Sequence, residues 1–249
     1  MTGFATPSFM AIAHRGASSY APENTHAAFD LALELGAREL EFDVQASADG
    51  ELVVIHDHAV DRTTDGTGVV ESLTLAALRQ LDAGGWFAPR FAGERIPTLD
   101  EVLERYGARA RLHVEIKGRT PFLTENTVEA IRRHGVAGAV VLTSFQKERL
   151  VETRACAPEL PAGWLVREVD EDVVETARAL KLAQVCPRAE IVTPGLVRRL
   201  HAEAFVVRAW GVATEALMER VVLAGADGMT VNFPDKLIAY LARCGQERF

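Results

Sequence analysis

Apolar positions follow two alternating rhythms along this chain. Short runs of strand character, "FMAIA", "RELEFDV", "RLHVEIK", "AGAVVLTS", "GWLV", "AQVCP", "FVVRAWGV" and "GMTVN", alternate with segments whose apolar residues return every three or four positions, such as "THAAFDLALELG", "TENTVEAIRRHG" and "TEALMERVVLAGA". Strand, helix, strand, helix predicts a parallel sheet with crossover helices. A ninth run, "ELVVIHD" (51–57), follows "RELEFDV" after only "ASADG". That is too short for a parallel crossover, so the two runs are expected to form an antiparallel hairpin. The eight remaining units predict an α/β fold of the (β/α)8 TIM-barrel type, which gathers its chemistry at the C-terminal ends of the strands. A doubly wound open sheet is the alternative. Residues 57–97, Gly-rich and polar with one short helix-like segment, interrupt the alternation and read as a small insertion subdomain capping the barrel mouth.

The 249 residues, 48% apolar and undivided by any low-complexity linker, fit a single domain over 1–249. A net charge of −8 with both signs interspersed argues against a nucleic-acid partner and against stable membrane association, and points to a small soluble substrate. Three cysteines without C-x-x-C spacing suggest neither a disulfide framework nor a zinc knuckle, which fits a reducing cytoplasm. The opening "MTGFATPSFMAIA" has no basic n-region and too short an apolar run for a secretory signal or a membrane span. A cytoplasmic monomer or homodimer is the expectation.

The candidate chemistry lies at strand ends. Glu41 and Asp43, two apart on one strand, share a face. Inside a barrel two such carboxylates repel each other unless a cation neutralises them. Glu115 in "HVEIKG" supplies a third, alternating with His113 and Lys117. Three carboxylates with no cysteine and no i,i+4 histidine pair predict one divalent cation, Mg²⁺ or Ca²⁺, rather than zinc. Arg15 and Lys117 add fixed positive charge suited to a phosphate. His14, ending the first strand, and His56, brought beside the carboxylates by the hairpin, suit a general acid and base. Taken singly, each has a blander reading: an exposed E-x-D edge, a structural histidine, a surface ion pair, a helix cap at Asn24 or Thr25. Independent strands placing charge at the same end of one barrel favour metal-assisted phosphoryl transfer.

The pieces "HRGASSYAPENT", "ELEFDVQASADGELVVIHDHAVDRTTDGTG", "LDAGGWFAPRFAGERIPTLDEVL", "LHVEIKG", "TSF" and "GADGMTVNFPD" are those of a known family. The chain resembles the glycerophosphodiester phosphodiesterases of the small bacterial cytosolic type. The resemblance covers the first 120 residues almost without a break and is fold-level only from 146 to 205. It implies hydrolysis of glycerophosphodiesters to sn-glycerol 3-phosphate and an alcohol, by attack of water or of the substrate's own 2-hydroxyl. It also implies His14 and His56 as the acid/base pair, Glu41, Asp43 and Glu115 as metal ligands, and Arg15 and Lys117 as phosphate contacts. Glu23 and Trp210 would help shape the mouth. Where many relatives read W-T-V-N this chain has Trp210-Gly211-Val212-Ala213, and where T-D-x-P is common it has Val231-Asn232-Phe233-Pro234. Both departures are expected to bear on the alcohol pocket and to touch no metal ligand or acid/base residue. A lysophospholipase D-like enzyme, using "WFAPRF" as an apolar surface beside the mouth, and a non-catalytic barrel binding glycerol phosphates or Ca²⁺ are the alternatives. A metal-dependent lyase or aldolase remains open if the resemblance is set aside.

Overall fold

In the computed structural model, which describes residues 9–246, nine strands form one sheet: β1 (Met10–His14), β2 (Glu39–Ala46), β3 (Leu52–Val54), β4 (Arg111–Ile116), β5 (Val140–Ser144), β6 (Ala162–Val166), β7 (Gln184–Pro187), β8 (Val206–Val212) and β9 (Gly228–Val231). The order β1-β9-β8-β7-β6-β5-β4-β2 closes through a parallel β1–β2 pairing into a ring of eight parallel strands. β3 lies outside the ring, antiparallel to β2, with Val44 opposite Val54. The helices are α1 (His26–Glu34), α2 (Leu75–Leu78), α3 (Leu99–Tyr106), α4 (Leu123–Arg133), α5 (Lys147–Cys156), α6 (Glu171–Ala179), α7 (Pro194–Ala202), α8 (Glu215–Leu223) and α9 (Pro234–Gln246). The expected barrel and hairpin are both present. Residues 1–8, part of the opening stretch read above, lie outside the described residues. Among the described residues no helix is long and apolar enough to cross a membrane.

Strand alternation decides where the core sits. Leu40, Phe42 and Val44 of β2 and Leu112, Val114 and Ile116 of β4 point outward into an apolar layer shared with α1, α3 and α4. A second layer joins β6–β9 to α6–α8. The intervening residues face the barrel interior, which is polar: His113, Arg208, Thr143, Gln184 and Thr230 are all buried there with Glu41, Asp43 and Glu115. Helix starts are fixed locally. Thr25, Thr74, Thr98, Asp170, Thr193 and Thr214 each accept a hydrogen bond from the first turn they cap, a contribution of about 1 kcal/mol apiece. Of the two cap candidates it is Thr25 that caps α1, which leaves the Asn24 side chain available to the site.

The insertion builds a small core of its own from Val53, Ile55, Val60, Val70, Leu78, Ala83 and Ile96. None of residues 57–97 lines the main cleft, but His58 lines a smaller pocket beside it with His56, Lys117 and Gln146, and Arg62 and Arg90 bond to Glu23 and Tyr20 in the loop after β1. The apolar cluster includes Val53 of β3, the strand outside the ring, and so holds the insertion next to His56.

Candidate active site

The turn after β1 sets the first two functional groups. Arg15 (φ 55°) and Gly16 (φ 82°) adopt left-handed backbone in succession, and a Cβ on Gly16 would lie 2.5 Å from the Ala28 carbonyl carbon. The turn therefore closes against α1 only with glycine. It leaves the Arg15 backbone N–H donating to both the carbonyl (2.8 Å) and the Oε2 (3.2 Å) of Glu41, which locks the β1 end onto β2.

β2 and β4 run in register, with Asp43 beside Glu115 and Glu41 beside His113. One carboxylate oxygen from each of Glu41, Asp43 and Glu115 lies within 4.8 Å of those of the other two, and all three residues are buried. Asp43 Oδ2 accepts from Asn24 Nδ2 at 3.0 Å and pairs with Arg15 Nε at 3.2 Å. Its Oδ1 has no hydrogen bond and lies 3.5 Å from Lys117 Nζ. Lys117 Nζ also donates to Glu115 Oε1 at 2.8 Å. Burial, reinforced by the charges of Asp43 and Glu115, pushes Glu41 up to about 8. Burial and Asp43 raise Glu115 as well. For Asp43 burial is outweighed by Arg15 and Lys117, which hold it below the ordinary carboxylate range. An orphaned carboxylate oxygen, a carboxyl forced toward its neutral form and an all-oxygen donor set fit a hard divalent cation.

The two histidines are held from behind in the same way but by different partners. His14 Nδ1 donates to Asn232 Oδ1 at 2.7 Å. His56 Nδ1 donates to Asp57 Oδ1 at 2.5 Å. Each ring thus turns its Nε2 to the cleft, and His14 Nε2 lies 3.9 Å from Glu41 Oε2. Desolvation in the cleft wall and then Arg15 push His14 down to about 4. Desolvation also lowers His56, opposed by Asp43 and Asp57. The Asn232 contact corrects the sequence expectation: the T-D-x-P departure does touch an acid/base candidate, because the turn after β9 closes beside β1.

Behind His56 runs a relay of ion pairs. Arg62 donates to Asp57 (Nε to Oδ2, 2.5 Å) and to both oxygens of Glu23 at 2.8 Å, and Arg15 Nη1 donates to Glu23 Oε1 at 2.7 Å. The Arg62 hydrogen bond is the main reason Asp57 sits at about 2. Glu23 does not line the cleft but lies behind Arg15, joining it to the insertion. Gln45 Nε2 ties the same corner by donating to the carbonyls of Ile55, His56 and Asp57 at 3.0, 3.1 and 2.7 Å. From the sequence alone Asp57, Arg62 and Gln45 are passed over, and Asn232 stands out only as part of a departure from the family pattern. Asp57 carried a usable signal, a carboxylate adjoining a strand-end histidine, whereas the others depend on tertiary closure. Replacing Asp57 by Asn, which keeps an acceptor but removes the charge behind the ring, is expected to lower kcat by about 10- to 100-fold with little change in KM. Steady-state kinetics with a melting curve to check the fold would measure it, and an unchanged kcat would remove Asp57 from the account.

The cleft at the C-terminal end of the strands has a volume of about 480 Å³ and is lined by His14, Arg15, Glu41, His56, Glu115 and Lys117 on one side. Phe145, Leu165, Arg167 and Trp210 line the other, with Arg208 below. Trp210 meets Phe145 edge-on, ring centroids 4.8 Å apart, and donates Nε1–H to the Val166 carbonyl at 3.1 Å. Trp86 is exposed in the insertion, and neither it nor Phe87 and Phe91 lines the cleft.

Comparison with known proteins matches residues 14–236 to the profile of the Glycerophosphoryl diester phosphodiesterase family. The chain is 39% identical over 240 residues to a glycerophosphodiester phosphodiesterase of Caldanaerobacter subterraneus subsp. tengcongensis, covering 95% of this chain and 99% of the relative. It is 33% identical over 247 residues to a glycerophosphodiester phosphodiesterase of Bacillus subtilis, covering 91% of this chain and 84% of the relative. Among solved structures, an Oleispira antarctica phosphodiesterase in complex with the product sn-glycerol-3-phosphate is similar at a TM-score of 0.87 and 32% identity, covering 93% of this chain and 96% of that one.

Proposed function

Because the chain belongs to the glycerophosphoryl diester phosphodiesterase family and is a glycerophosphodiester phosphodiesterase, we propose that it releases sn-glycerol 3-phosphate and an alcohol by divalent-cation-dependent general acid–base catalysis. The observation that carries this reading is a cluster of three mutually close buried carboxylates, two of which, Glu41 and Glu115, line one cleft with two histidines whose Nδ1 atoms are both taken by side chains behind them.

A divalent cation held by Glu41, Asp43 and Glu115 would polarise the phosphodiester and offset the charge that develops in its transition state. Arg15 and Lys117 orient the phosphoryl oxygens from the same side, their own charges fixed by Asp43, Glu23 and Glu115. The two histidines divide the proton work by their partners. His14, backed by a neutral amide and beside Arg15, is held as the neutral imidazole, so its Nε2 takes the proton of the attacking hydroxyl. His56, backed by the Asp57 carboxylate, is the better carrier of a proton and delivers it from Nε2 to the departing alcohol oxygen. Asn232 and Asp57 keep the two rings in the tautomer and orientation these transfers need.

The product assay tests the reading. With cation present, glycerophosphoethanolamine is expected to yield glycerol 3-phosphate and ethanolamine in equal amounts. Turnover restricted to acyl-bearing lysophospholipids, with no glycerol 3-phosphate from the small diester, would contradict it. The position of "WFAPRF" away from the cleft favours the small diester.

A further inference from the structure

The strand order places Arg167 across the barrel from His14. Around the ring from β1 the strands run β2, β4, β5, β6, β7, β8 and β9, so β6, whose end carries Arg167, is four strands from β1 in either direction. The half made by β1, β2 and β4, with the hairpin strand beside it, supplies both histidines and every carboxylate of the cleft. The far half supplies Phe145, Leu165, Arg167 and Trp210 and no carboxylate. Whatever the phosphodiester carries away from the reacting phosphorus therefore meets this second wall.

The charge of that wall is positive. Arg167 is exposed and lines the cleft, and its guanidinium carbon stands 5.4 Å from the Phe145 ring centroid. This ring contact is its sole interaction among the described residues. Lys117 Nζ stands 5.7 Å from the same centroid, so two fixed cations already engage the ring that would otherwise attract an ammonium. An ammonium head entering here meets neither a carboxylate nor a free Phe145 face. A carboxylate or second phosphate finds a guanidinium with all its donors unused.

We infer that Arg167 determines specificity for the leaving alcohol, and that the preferred substrates are glycerophosphodiesters whose alcohol carries an anionic group. The inference rests on the phosphodiesterase reading above and extends it to the substrate class. Arg167 touches no metal-ligand candidate and no histidine, so its role is in binding rather than in the chemical step.

Glycerophosphoserine and glycerophosphoethanolamine test this directly, because they share an ammonium and differ by one carboxylate. Values of kcat/KM for the two, with cation present, are compared in the parent protein, Arg167→Gln and Arg167→Glu, after melting curves establish that the variants fold. The parent is expected to favour the serine diester by about five- to tenfold, Arg167→Gln to bring the ratio near one, and Arg167→Glu to invert it. A ratio unchanged across the three proteins would overturn the inference. So would an equal loss on both substrates, which would assign Arg167 to the glycerol phosphate part they share. Turnover of neither diester by the parent protein would instead bring down the phosphodiesterase reading itself.

Discussion

Replacing His14 by alanine is expected to lower kcat on glycerophosphoethanolamine by about 10² to 10⁴, the usual worth of a general base, while leaving the melting temperature close to that of the parent. The ring is neither part of the apolar core nor tied to it. Its one hydrogen bond is to Asn232 on the turn after β9, and 31% of its surface is open. The division of labour adds a sharper outcome. A base acts on the attacking hydroxyl whatever alcohol departs, so the loss in His14→Ala should persist with an activated diester such as one releasing p-nitrophenol. An acid matters only for a poor leaving group, so His56→Ala should recover most of its loss on that substrate. Comparing the two variants on the two substrates measures this. Recovery by His14→Ala, with none by His56→Ala, would reverse the assignment, and full activity in His14→Ala would end it.

Glu41→Gln is expected to lower turnover at least about 10²-fold and, unusually for a buried substitution, to stabilise the cation-free protein at alkaline pH. Burial and the charges of Asp43 and Glu115 raise Glu41 to about 8 from 4.5. A carboxyl whose folded value is raised favours the folded state below its unfolded value, and that contribution is lost as pH rises through the folded one. The cation-free parent should therefore lose stability between about pH 5 and pH 8, and a neutral glutamine of the same shape should remove much of that slope. Cation binding should flatten the parent's profile and leave the variant's nearly unchanged. Melting temperatures across this range, with a chelator and with Mg²⁺ or Ca²⁺, measure it. Equal slopes in parent and variant would mean that burial beside Asp43 and Glu115 does not raise Glu41.

The parts of this site that were legible in the sequence are those fixed by local periodicity. Glu41 and Asp43 had to share a face because a strand alternates every residue, and the five-residue "ASADG" left β3 no course but to fold back, bringing His56 to the same end. Glu115 and Lys117 followed by the same alternation on β4. The rest depended on closure in three dimensions. Asn232 reaches His14 across 218 residues of sequence, and only the pairing of β9 with β1 makes them neighbours. The Asp57–Arg62–Glu23 relay depends on how the insertion docks. The turn-rich composition of 57–97 identified a subdomain but not the contacts it makes, which run through Arg62 and Arg90 to the loop after β1. Asn24, open as a cap from its residue type, is drawn off by left-handed backbone and by the buried Asp43 carboxylate.

On the proposed reading, the carboxylate set and the histidines act together only if a cation completes the site. Protein stripped of metal and assayed for release of glycerol 3-phosphate from glycerophosphoethanolamine should be silent, and should regain turnover when Mg²⁺ or Ca²⁺ is added back. Full turnover in the stripped protein, unchanged by either ion, would contradict the account.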